Sequence, residues 1–184
     1  MKKFLLALAC LGLAASAYAA KLEKLAIIKD AGFKSDDYSK LRVYTVSDAE
    51  FLKSIQDRKN YDDVADQLNQ VNLAVKLKVS EFATAGYTPG KGPKTLTLTM
   101  AVADYNPGST GAAIMMGGFG AGNGHCKYTV HFWDGQTEVA TIETGARISH
   151  TSGAFGRHAT NGEASRDRIP MEMVAAIQKF LQQH

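Results

Sequence analysis

Cysteine is almost missing from this chain, with two in 184 residues. Cys10 falls in a leader-like segment, so Cys126 is left alone beyond it. A lone cysteine cannot close an intrachain bridge, which excludes a disulfide-stapled fold. Cys126 stands in a strand pattern and is expected to be buried as a small hydrophobe. Long apolar runs are also missing after residue 19, so no transmembrane helix is expected in the mature chain. No sign of charge dominates. The formal net charge is +3, and Lys2 and Lys3 of the leader carry part of it. A nucleic-acid partner needs a concentrated basic patch, and none is present. Catalytic signatures are lacking as well. There is no G-x-S-x-G elbow and no H-E-x-x-H helix. The histidines outside the leader are His125, His131, His150, His158 and His184, and no pair has close ligand spacing. No metal and no cofactor are expected, and His184 is expected to be disordered.

What is present begins with a leader. Lys2 and Lys3 precede the apolar stretch 4–13, and Ala17-Tyr18-Ala19 is a small-x-small cleavage site. Residues 1–19 read as a bacterial signal peptide, cut after Ala19, with export to the periplasm. Lipidation at Cys10 is disfavoured, because Ala7 stands three positions upstream where a lipobox has Leu. Residues 20–184 form one domain, long enough for a real core.

Within it, 21–29 reads as a short strand or an extended arm. Residues 41–46 are β-branched and aromatic, hence a strand. Ser47-Asp48-Ala49-Glu50 reads as a capping box opening a short helix over 48–58. Val64, Leu68, Val71, Val75, Val79 and Phe82 recur every three or four residues, which predicts a helix over 61–85 with Gly86 as its left-handed stop. Leu96, Leu98, Met100 and Val102 alternate with threonines over 95–104, the clearest strand signal. Cys126, Tyr128, Val130 and Phe132 alternate with Lys127, Thr129, His131 and Trp133. Asp134-Gly135 is a hairpin turn, and 139–148 returns antiparallel. Residues 149–168 read as a long mobile loop. Pro170 then suits the first turn of a last amphipathic helix. The element order is β-α-α-β-β-β-α. It predicts an α+β fold, or an α/β sandwich, with helices on one face of a largely antiparallel sheet.

The unusual stretch is the glycine-rich segment 105–126. A phosphate cradle is disfavoured, because Asn123 replaces the third glycine of G-x-G-x-x-G and a strand follows instead of a helix. Two readings stay open. The glycines serve a long inter-strand connection with tight turns. Alternatively Met115, Met116, Gly118, Phe119, Gly120 and Gly122 form an apolar contact surface, with small residues spaced for close approach. His131 and Trp133, side by side on the strand, extend that candidate interface.

The run 117–122, the strand after it ending in Asp134-Gly135, and 97–105 before it resemble an uncharacterised family of bacterial envelope proteins. That family is catalogued as domain of unknown function 4410. The likeness covers roughly Leu41 to His184 and is specific over 96–148. It implies an envelope protein, in many members lipid-anchored, with no established activity.

The expectation is therefore an exported, non-enzymatic binding or assembly module of the periplasm, associated with the outer membrane. Its partners are another envelope protein, a second copy of itself, or the membrane surface by peripheral contact. The competing expectation is a small periplasmic hydrolase or metal-dependent enzyme using His150 and His158 of the 149–168 loop.

Overall fold

A computed structural model describes residues 21–108, 124–148 and 161–184. The candidate residues 115–122 and the histidines His150 and His158 lie outside the described residues. Strand β1 is Lys21–Asp30 and β2 is Tyr38–Ser47. Two helices follow, α1 (Ala49–Ser54) and α2 (Tyr61–Glu81). The strands β3 (Lys94–Asn106), β4 (Gly124–Asp134) and β5 (Thr137–Ile148) come next, and α3 (Asn161–Gln183) is last. The five strands form one sheet in the order β1-β5-β4-β3-β2. Only β2 and β3 run parallel, as the α1–α2 crossover between them requires. The other three pairings are antiparallel. This is the α+β fold that the alternation predicts.

The core lies on one face of the sheet. Leu96, Leu98, Met100, Tyr128, Val130, Phe132 and Ile142 point into it and have at most 1% exposure. From the other side come Val64, Leu68, Val71, Val75 and Val79 of α2, with Ile169, Met173, Ile177 and Phe180 of α3. Those residues are three or four apart, so each helix turns a single stripe to the sheet. Each fully buried large apolar side chain contributes about 1.5–3 kcal/mol. One end of the core is aromatic. The Phe180 ring lies 4.7 Å from Phe132 and 5.3 Å from Phe33. His184 is ordered against this cluster, not disordered. Its ring is 4.5 Å from Phe180, and its carbonyl accepts the Ser35 amide hydrogen at 3.1 Å.

Several local expectations are corrected. Ser47 ends β2, and Asp48 is the N-cap of α1, without a side-chain cap bond. Its carboxylate is engaged instead by the Asn72 amide, which donates to Asp48 Oδ2 at 2.8 Å. Gly86 has no positive φ. Helix α2 widens into a π turn, Phe82–Gly86, and the Tyr87 amide donates to the Phe82 carbonyl at 2.7 Å. That bond serves a carbonyl that a left-handed glycine would otherwise help to satisfy. Helix α3 starts at Asn161, so it takes in the end of the expected loop and places Pro170 in its interior. An interior proline costs about 3 kcal/mol. Here its buried flanks, Ile169 and Met173, hold the turn against the core.

Two of the described glycines show the steric tasks that glycine takes on here. Gly135 sits at φ +60° in the β4–β5 hairpin, as a primed turn requires. At Gly92 a Cβ would lie 2.1 Å from the Asp37 carbonyl oxygen. Its amide donates to Asp36 O at 2.8 Å, which zips the loop before β3 to the turn before β2.

Candidate functional site

Helices α2 and α3 lie on one face, so the opposite face of the sheet is left to polar side chains. Thr97, Thr99 and Ala101 of β3 and Lys127, Thr129, His131 and Trp133 of β4 occupy it, all half-buried. His131 and Trp133, both predicted contact residues, meet here with ring centroids 6.2 Å apart. The Trp133 indole Nε1–H donates across the strands to Thr99 Oγ1 at 3.0 Å. That bond fixes the edge of the ring.

A bulge supplies the rest of the cluster. Phe132 pairs with Ala140, but Trp133 pairs with Glu138, so Val139 is the extra residue. An inserted residue reverses the in–out alternation. Val139 therefore packs against the core, and Glu138 joins Thr141 on the polar side. Glu138 then accepts three hydrogen bonds. Lys29 Nζ donates to Oε2 at 2.8 Å, and Thr141 Oγ1 donates to Oε1 at 2.6 Å. His131 Nδ1–H donates to the same Oε1 at 2.5 Å. These donors, Lys29 first, then Thr141 and His131, hold the carboxyl down at a pKa of about 2. Nothing in the spacing of Glu138 signals this role, because regular alternation would turn it inward.

The same device operates at the far end of the face. Val102 pairs with Tyr128 and Asp104 with Lys127, so Ala103 is extra. Tyr105 thereby enters the core, 6.4 Å from the Phe51 ring, and Asp104 faces outward. Asp104 Oδ2 lies 2.8 Å from His125 Nε2. The two histidines of β4 are thus each tied to a separate carboxylate.

Beneath the face a polar chain runs into the core. The Tyr128 hydroxyl donates to Asn72 Oδ1 at 2.9 Å, and the Asn72 amide donates to Asp48. Cys126 lies beside Tyr128, fully buried, and burial pushes its thiol up to about 12. The thiol stays protonated at neutral pH and is no nucleophile.

Glu138 is poorly placed to act as a base. A carboxylate with a pKa near 2 is a weak base at neutral pH, and three donors already occupy its oxygens. Among the described residues no group of three or more His, Cys, Asp or Glu is placed to hold a metal ion. Among the described residues no helix is long and apolar enough to cross a membrane.

No family model matches the chain. No curated protein matches it either. Among solved structures it is similar to a variant of the PelC dodecamer from Paraburkholderia phytofirmans, with 10% identity and a TM-score of 0.38. That match covers 84% of this chain and 96% of PelC. A second PelC dodecamer from the same organism gives 12% identity and a TM-score of 0.36, with the same coverage.

Proposed function

We infer that this protein is an exported bacterial envelope protein that works as a non-enzymatic binding or assembly module. Its leader directs it to the periplasm, and its contact surface joins the glycine-rich segment to the open face of the sheet. The observation that carries this reading is the polar face itself. No described helix packs on it, and it presents an anchored tryptophan beside His131. A half-buried indole held at one edge is a recurrent anchor in protein contacts. The glycine-rich segment lies in sequence between β3 and β4, the two strands that carry this face. The sheet edges serve the purpose less well. Both β1 and β2 carry two register shifts, and bulged edges resist strand addition along their length.

The test is co-purification and sizing of the protein expressed with its leader and recovered separately from periplasm and membranes. Trp133→Ala and the pair Gly120→Val, Gly122→Val should each release the partner or shift the assembly to a smaller species. Intact mass should begin at Ala20. If neither variant changes size, partner or compartment, the contact reading fails. A mass starting at an acylated Cys10 would overturn the leader reading.

A further inference from the structure

A second surface lies along the outer edge of β2, where Lys40 and Arg42 register opposite Thr95 and Thr97 and so stand on the open side of the sheet. A groove of about 500 Å³ runs there, within the range that binding sites occupy. Its floor is residues 39–43 of the strand, and one wall is Ser80, Ala83 and Thr84 from the end of α2 and the π turn. Two observations give the groove a chemistry. The first is backbone. β2 is an edge strand, so every second amide and carbonyl points away from β3 with no strand to receive it. The pairing shifts between Tyr38 and Lys40 and again between Val43 and Thr45, which makes Ser39 and Tyr44 the extra residues. Between those two bulges, residues 40–43 keep regular register. The bulges thus confine strand addition to one short window instead of opening the whole edge.

The second observation is charge. Lys40 and Arg42 are exposed in that window and make no ion pair among the described residues. They alternate with Leu41 and Val43, so both stand on the same face of the strand. The opposite wall is small and hydroxyl-bearing. A strand laid here would turn alternate side chains toward two cations and the others toward Ser80, Ala83 and Thr84.

We propose that residues 40–43 of β2 receive a short extended acidic peptide as a sixth strand. Alternate Glu or Asp side chains pair with Lys40 and Arg42, and small or β-branched side chains fill the helix-side wall. Main-chain bonds supply affinity, and the alternation supplies specificity. A flexible polyanion without amides would satisfy the cations but not the strand edge.

The experiment is fluorescence anisotropy of the full protein with a labelled eight-residue peptide alternating Glu and Val. Three probes accompany it: the same peptide N-methylated at alternate amides, the peptide with Lys for Glu, and a polyacrylate of equal charge. Saturable binding of the first, with at least about tenfold loss on N-methylation, is expected, because several main-chain bonds are lost together. Lys40→Glu with Arg42→Glu should also weaken binding about tenfold or more and invert the preference toward the lysine peptide. Both residues are exposed, so circular dichroism and thermal unfolding should match the parent. Ala83→Trp, which narrows the wall, should weaken binding without touching a charge. Equal binding of the N-methylated peptide or of polyacrylate would reduce the site to general electrostatics and overturn the proposal. So would indifference to the charge reversal, or no binding at millimolar peptide. Self-association that Lys40→Glu with Arg42→Glu abolishes would assign the groove to a second copy and overturn the peptide.

Discussion

Strand β4 shows both faces of the sheet in successive residues. Toward the helices it presents Cys126, Tyr128, Val130 and Phe132, each with 0% exposure. Away from them it presents Lys127, Thr129, His131 and Trp133, each half-buried. The first set is held by shape, since close-packed interiors penalise a missing methylene and an extra one alike. In the second set His131 and Trp133 are held by partners on the neighbouring strands, Glu138 and Thr99. The same backbone therefore carries two kinds of constraint, and they should fail in different ways.

Phe132→Ala should break the covered side most severely. Its ring lies 4.7 Å from Phe180 and 5.9 Å from Phe33, so the cavity would open at the joint of sheet and α3. A loss of about 3–5 kcal/mol is expected in urea unfolding. A loss under about 1 kcal/mol would mean that this end of the core collapses freely and is not tightly packed.

Tyr128→Phe tests the polar thread through the apolar side. The substitution keeps the ring but removes the hydroxyl that donates to Asn72. Asn72 is buried, so its carbonyl would lose a partner that water cannot easily replace. About 1–3 kcal/mol should be lost. No loss would show that Asn72 turns to another partner and that the Asp48–Asn72–Tyr128 chain does not fix α2 on the sheet.

The apolar half of this comparison is legible in the sequence, and the polar half is only partly so. Alternation over 95–102 and 126–132 gives the strands, their inward residues and the outward pair His131 and Trp133. The bulges at Ala103 and Val139 leave no compositional trace, because neither residue is a glycine or a proline. Without them Tyr105 would turn outward and Glu138 inward, so both histidine–carboxylate pairs are hidden. The start of α3 is hidden for another reason. Residues 161–168 include Gly, Ser, Asn and Asp, which have weak helix propensity, and Pro170 reads as a helix start. Tertiary packing of Ile169, Met173 and Ile177 overrides both signals.

Glu138→Gln probes the polar side through pH. The folded carboxyl sits near 2, below its ordinary value of 4.5. A depressed acid stabilises the fold above its unfolded pKa and loses that contribution as pH falls through the folded one. Wild-type protein should therefore lose more stability than Glu138→Gln between pH 4.5 and 2, and the gap should close near pH 2. Melting curves at half-unit steps would show this. A gap constant across the window would mean that the Glu138 carboxyl titrates alike in the folded and unfolded chain, and that its three donors do not favour the charged form.

Trp133→Phe should have the smallest effect on stability, and it decides whether the two faces differ as described. It removes one indole N–H bond to Thr99 on a face that no described helix covers. Such a bond contributes about 0.5–1.5 kcal/mol net, and part of the ring's burial survives in Phe. About 1 kcal/mol or less should be lost at low protein concentration. Trp133 is the sole tryptophan of the chain, so its emission reports on this face alone. If the face meets a partner or a second copy, the emission should shift to the blue as that contact forms. The stability cost of Trp133→Phe should then grow with concentration, because binding to the native state adds to its apparent stability. A cost as large as that of Phe132→Ala at every concentration would mean that the open face is packed within the single chain. The contrast between the two faces would then be lost, and the contact reading with it.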